Sequence, residues 1–218
     1  MPFDPTLRKT VLAFLGLLAA GCLPALAEDQ PGDFDFYVLA LSWLPTYCTL
    51  ENQPDDAQCG VEEHGFILHG LWPQYESGYP EYCWSAMSDR ISNATIRSIF
   101  EIMPSAGLAR YQWRKHGICT GLRQDAYFAV ARDAFRKIKV PAQFIDPPED
   151  ATRAPLDIER AFIAANPGLQ SNAISVACKN RHLSDVRICL SKDLQFRACP
   201  EVDADYCRTR QIAVPAIQ

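Results

Sequence analysis

Beyond its first thirty residues the chain contains no apolar run near the ~20 residues that a membrane-spanning helix needs, so no helical span is expected there. It holds nine cysteines but no CxxC pair, and without close pairs a structural zinc site is the weaker reading of its sulfur content. Net positive charge is also missing: the formal charge is −5, and about −6 without residues 1–27, which hold Arg8, Lys9 and Asp4. That balance argues against general electrostatic coating of nucleic acid, while leaving room for a local basic cleft. There is no internal repeat, no low-complexity segment and no regular βα alternation.

The apolar run that does exist lies at the start. Arg8 and Lys9 precede Val11 to Ala20, and small residues follow at Ala25 and Ala27, the pattern of an export signal over residues 1–27 cut after Ala27. AAGC at Ala19 to Cys22 loosely resembles the site at which lipoproteins are cut and lipidated, and either route takes Cys22 out of the disulfide pool. Eight cysteines then remain, which in an exported chain suggests four disulfides whose pairing the spacing leaves open. Residues 28–218 are expected to form a single domain whose core does not depend on disulfides alone. The expectation is a soluble monomer, periplasmic or secreted, with no membrane span.

Phe34 to Trp43, FDFYVLALSW, reads as a buried strand, and Gly65 to His69 as a second short strand ending at the histidine, with Gly70 giving the backbone room to turn. Helical spacing of apolar residues runs through Ser88 to Met103 and Gln124 to Ile138, and Pro155 to Ala165 fits a helix with proline in its first turn. Val140 to Ala154 reads as a surface loop, and the Asn93 to Thr95 sequon as a chance match inside a helix. Val186 to Leu190 and Leu194 to Cys199 read as strands joined by a tight turn. The mixture predicts an α+β fold with a central antiparallel sheet and flanking helices.

Of the four histidines, His64 and His182 have no neighbours that suggest a polar site. His69 and His116 do. HGLWPQ, His69 to Gln74, joins a histidine to Trp72, whose following proline restricts it to an extended conformation. Such an indole offers a face on which a base stacks, worth ~1–3 kcal/mol per base. YQWRKHGIC, Tyr111 to Cys119, places Lys115 and His116 just before a cysteine that can pin the segment to a distant part of the chain. Two imidazoles with pKa values near ~6.5 supply one base and one acid for phosphoryl transfer within RNA. A lysine beside them neutralises charge building on the phosphorane, and the chemistry needs no metal or other cofactor.

HGLWPQ and WRKHGIC together resemble the two active-site segments of the ribonuclease T2 family, and the similarity extends to LALSWLPTYC and VRICLSKDLQFRAC, covering essentially the whole mature chain. The resemblance implies an α+β fold and endonucleolytic cleavage of single-stranded RNA through a 2′,3′-cyclic phosphate. By motif position, His116 resembles the general base, His69 the acid for the departing 5′-oxygen, and Lys115 the cation that stabilises the transition state, while Trp72 would help hold a base. It also implies the pairs Cys48–Cys59, Cys83–Cys119, Cys178–Cys207 and Cys189–Cys199. RNA would be cut and DNA spared because the nucleophile is the 2′-OH.

The family's second segment usually reads HEWxKHG, whereas this chain has Tyr111 and Gln112 at the first two places. Tyr111 can still donate a hydrogen bond to phosphate. Gln112 keeps the size of glutamate and can donate through its NH₂, but cannot share a proton. The substitution predicts an active enzyme with slower chemistry; the alternative is a T2-like scaffold that binds RNA and has lost catalysis.

Overall fold

A computed structural model describes residues 29–51, 58–59 and 64–217; the expected export signal and Cys22 lie outside the described residues. Strand β1 (Phe36–Trp43) is the centre from which the fold is built. Its alternate residues Tyr37, Leu39, Leu41 and Trp43 enter the main core, while Phe36 and Val38 face a smaller cluster with Cys189 and Cys199. A strand buried on both faces explains why its sequence is apolar almost throughout.

The chain continues through α1 (Leu44–Glu51), β2 (Phe66–Gln74), α2 (Asn93–Ile99), α3 (Ala106–Lys115), α4 (Gln124–Lys137), β3 (Ala151–Arg153), α5 (Pro155–Ala165), β4 (Ile174–Lys179), β5 (His182–Leu190), α6 (Pro200–Ala204) and β6 (Ile212–Val214). The strands form one sheet in the order β2-β1-β5-β6-β3, with β4 also pairing β5. Every pairing is antiparallel except β5 with β6, which touch at His182 and Ala213. The architecture is α+β, as the sequence implies.

Helix α4 buries Tyr127, Phe128, Ala131 and Ala134, a stripe at helical spacing. The Tyr127 hydroxyl donates to the Leu71 carbonyl at 3.0 Å, which fixes the helix against β2. Ser105 starts α3 by accepting the Leu108 N–H, and Ser92 starts α2 by accepting that of Thr95. Four disulfides join Cys48 to Cys59, Cys83 to Cys119, Cys178 to Cys207 and Cys189 to Cys199.

Four expectations need correction. Val140 to Ala154 is not a surface loop throughout: Ala151–Arg153 forms β3, and Phe144 is buried against Trp43, Phe66 and Phe162 in the core. Strand β2 does not end at His69 but runs on to Gln74, absorbing the histidine in a bulge. The helix expected over Ser88 to Met103 is confined to Asn93–Ile99, because the Ser92 side chain caps it; Ile91 and Met103 are buried from flanking turns. Leu194 to Cys199 is not a strand: Leu194 sits at φ 58°, and a single bridge, Leu190 to Phe196, remains. The Cys189–Cys199 disulfide and the Arg197 N–H bond to the Cys189 carbonyl hold that segment beside β5. Helix α3, which carries most of the second motif, was not anticipated at all.

Candidate active site

Pairing between β1 and β2 runs Ala40 to Gly70 and then Leu41 to Leu68, so His69 is the extra residue of a β-bulge. Without it, residues 69 and 72 would lie on opposite faces of the strand. The bulge lets Leu68 and Leu71 both enter the main core, while His69 and Trp72 both line one cavity, their rings 5.3 Å apart and edge to face. Bulges re-aim side chains in this way.

Behind His69 the sheet brings together two further residues that no sequence motif marks. Ser42 on β1 lies directly opposite Asp185 on β5. The Ser42 hydroxyl donates to Asp185 Oδ1 at 2.5 Å, and His69 Nδ1 is 3.0 Å from both that oxygen and the serine oxygen. Ser184 donates to the other carboxylate oxygen at 2.6 Å. Burial would push the Asp185 pKa up, but the His69 interaction and the two hydroxyls outweigh it and hold the group down at about 2.

Helix α3 brings in the second motif. Gln112 and His116 lie four residues apart, as do Tyr111 and Lys115, so each pair shares a helical face. The helix ends at His116, whose N–H still donates to the Gln112 carbonyl. Just beyond it, Cys119 is bonded to Cys83, and the Tyr82 N–H donates to the Lys115 carbonyl at 2.9 Å. The disulfide thus draws the Tyr79 to Cys83 segment to the helix end. Tyr79 comes within 6.2 Å of the His116 ring, and Glu81 pairs with Lys115 at 3.2 Å.

The two motifs meet through side chains. Trp72 Nε1 donates to Gln112 Oε1 at 2.8 Å, and the Trp72 and His116 rings are 5.4 Å apart. Gly70 lies under this contact: a β-carbon there would be 2.3 Å from Gln112 Oε1 and 2.4 Å from Trp72 Nε1. His69, Trp72, Tyr111, Gln112, Lys115 and His116 all line one cavity of about 510 Å³, to which Tyr79, Arg187, Glu201 and Asp205 also contribute. A second cavity of about 350 Å³, walled by Leu44, Tyr47, Ile67 and Leu108, shares His69 and Tyr111 with the first.

The electrostatics of the cavity act most strongly on His116. His116 is 6% exposed, and burial, followed by the charges of Lys115 and His69, lowers its pKa to about 3. Its imidazole is therefore neutral near pH 7, the form a general base needs, while the same burial makes it a weaker proton acceptor than a solvated imidazole. His69 is 32% exposed at the side chain and has the Asp185 carboxylate behind it. Burial would lower the Lys115 pKa, but Glu81 and Tyr111 raise it, so the ammonium keeps its charge.

Among the described residues no group of three or more His, Cys, Asp or Glu is arranged to hold a metal ion. Trp113, in the middle of the motif, is a core residue, buried with its N–H on the Ser88 carbonyl. Sequence reasoning missed Ser42, Tyr79, Arg187 and Asp185. The signal available for Ser42 was a polar residue inside an otherwise apolar strand; Asp185 sits among His182, Ser184 and Arg187 in HLSDVRICL and had no such contrast. Arg187 pairs with Asp205 at 2.7 Å and stands 5.8 Å from the Trp72 ring.

The sequence profile of the ribonuclease T2 family matches residues 34–199. The chain belongs to the ribonuclease T2 family. As a T2 ribonuclease it is an RNA-cleaving enzyme. It is 34% identical over 191 residues to a ribonuclease of Aeromonas hydrophila, covering 85% of this chain and 86% of that protein. It is 28% identical over 228 residues to ribonuclease I of Escherichia coli strain K12, covering 81% of this chain and 85% of that one. An RNase-related protein from Calystegia sepium superposes with a TM-score of 0.67 at 25% identity, covering 85% of this chain and 98% of the other. This T2 ribonuclease therefore shares its fold with the Calystegia protein and most of its length with the two bacterial ribonucleases.

Proposed function

We propose that the chain cleaves single-stranded RNA by transesterification, with His116 as base and His69 as acid. The observation that carries this reading is the convergence of both imidazoles and Lys115 on one cavity, with Trp72 between the rings. Neutral His116 takes the proton of the 2′-OH as the 2′-oxygen forms its bond to phosphorus. The bond from phosphorus to the 5′-oxygen breaks, and protonated His69 gives that oxygen its proton. The products are a 2′,3′-cyclic phosphate and a 5′-hydroxyl. Each proton transfer contributes on the order of 10²- to 10⁴-fold.

Lys115 stabilises the charge gathering on the non-bridging oxygens. Gln112 has its carbonyl oxygen engaged by Trp72, which leaves its NH₂ as the group to offer phosphate, with Tyr111 beside it. The Trp72 face, with Arg187 and Asp205 nearby, suits a base upstream of the scissile bond. Because His69 also borders the second cavity, the departing nucleoside fits there. Trapping the cyclic product from a dinucleotide, and losing it in His116→Ala, tests this reading.

Four disulfides favour an oxidising compartment, in keeping with a periplasmic or extracellular address and removal of residues 1–27. Residues 28–218 would then work as one catalytic domain.

A further inference from the structure

We propose that Asp185, with Ser42, is a positioning residue that holds His69 in the Nδ1–H form with Nε2 presented to the substrate. The inference deepens the proposed function and rests on its reading of His69 as the acid. Asp185 is buried at 6% exposure, on a strand that contributes no residue to either sequence motif. A buried carboxylate is costly unless its lone pairs are used, and here each oxygen is. Oδ2 accepts from Ser184, and Oδ1 accepts from Ser42.

That arrangement decides the direction of the His69 bond. The Ser42 proton is committed to the carboxylate at 2.5 Å, so the serine oxygen faces Nδ1 as an acceptor, as does Asp185 Oδ1. Nδ1 has two acceptors and no donor around it, so it must carry the proton. Nε2 is then the nitrogen left for substrate, and it takes up the proton that the departing 5′-oxygen receives. The same groups fix the ring plane, since the bulge at His69 leaves it without a cross-strand partner on β1. A carboxylate behind a working histidine orients the ring, sets its tautomer and stabilises its cationic form.

The test compares a dinucleotide, whose alkoxide leaving group needs an acid, with a nucleoside 3′-(4-nitrophenyl phosphate), whose leaving group does not. Asp185→Asn is expected to lower kcat on the dinucleotide roughly 10- to 100-fold, a part of what an acid supplies. KM should stay within about twofold, and turnover of the nitrophenyl ester within about threefold. In a His69→Ala background the same substitution should add no further loss. Nitrogen-15 shifts of His69 in the unaltered enzyme should show the Nδ1–H form when the ring is neutral. Equal loss on both substrates, no loss on the dinucleotide, or a neutral ring in the Nε2–H form would each overturn the proposal. If His69→Ala itself slows both substrates equally, the acid assignment fails. If it spares the ester while Asp185→Asn changes nothing, only the positioning role fails.

Discussion

The indole N–H of Trp72 donates to the side-chain oxygen of Gln112 at 2.8 Å, so Gln112, one of two places where the motif resemblance implies a departure from the usual residues, is also the link between the HGLWPQ and WRKHGIC segments. Glutamate could accept that bond equally well. The amide therefore preserves the architecture and gives up only what an acidic oxygen would do on its other side.

Gln112→Glu is accordingly expected to raise kcat at its pH optimum, by roughly tenfold on the scale of general acid–base effects. It also places an anion one helical turn from His116. Burial, Lys115 and His69 lower the His116 pKa to about 3, and an added carboxylate opposes that shift. The acid limb of the pH-rate profile should move to higher pH. Coincident acid limbs, or an unchanged optimum rate, would show that glutamine suits this site.

Gly70→Ala should separate architecture from chemistry. Its β-carbon would fall 2.3 Å from Gln112 Oε1, so the Trp72–Gln112 bond must break or the bulge must shift. The expected cost is about 1–3 kcal/mol of stability, with a fall in kcat of roughly 10- to 100-fold from misplacement. Urea denaturation and dinucleotide kinetics read the two effects; a stable variant of full activity contradicts the tight contact.

His116 also makes folding depend on pH. Its pKa is about 3 in the folded chain and ~6.5 when unfolded. Between those values the unfolded state binds the proton and the folded state does not, so stability falls as pH drops through the window. Asp185, held at about 2 against ~3.9 unfolded, adds a loss of the same sign below about pH 4. Replacing His116 with Asn should flatten the slope between about pH 6.5 and 4 by up to one proton. Denaturant midpoints at a series of pH values measure it, and an unchanged slope would contradict the burial argument.

Under the proposed mechanism, Glu81 would share Lys115 with the substrate. The pair is 3.2 Å long, with the glutamate 44% exposed, so its contribution to stability is small. Glu81→Gln should leave stability within ~0.5 kcal/mol and lower KM for RNA a few-fold, with the gain shrinking as salt is added. A raised KM would mean that Glu81 orients the lysine instead of competing for it.

Much of the molecule was legible from local pattern. Pro155 to Ala165 forms the helix its first-turn proline and spacing suggest, and His69, Trp72, Lys115 and His116 do gather at one cavity. The bulge at His69 was not legible, because FILHGLW is apolar on both sides of the histidine and shows no alternation whose slip would betray it. Ser42 and Asp185 escaped notice for another reason. They lie 143 residues apart, and only the β1–β5 register sets them opposite each other. Helix α3 was hidden because WRKHGIC reads as chemistry, while the spacing of Ala109, Gln112 and Trp113, which the fold buries, carries the helical signal.

The division of labour between the histidines is tested most directly by following dinucleotide cleavage with product identification in the unaltered enzyme, His116→Ala and His69→Ala. The expected result is a 2′,3′-cyclic phosphate with a 5′-hydroxyl nucleoside, formed at least ~10²-fold more slowly in either variant. Products ending in a 3′-hydroxyl and a 5′-phosphate, or full activity in His116→Ala, would contradict it.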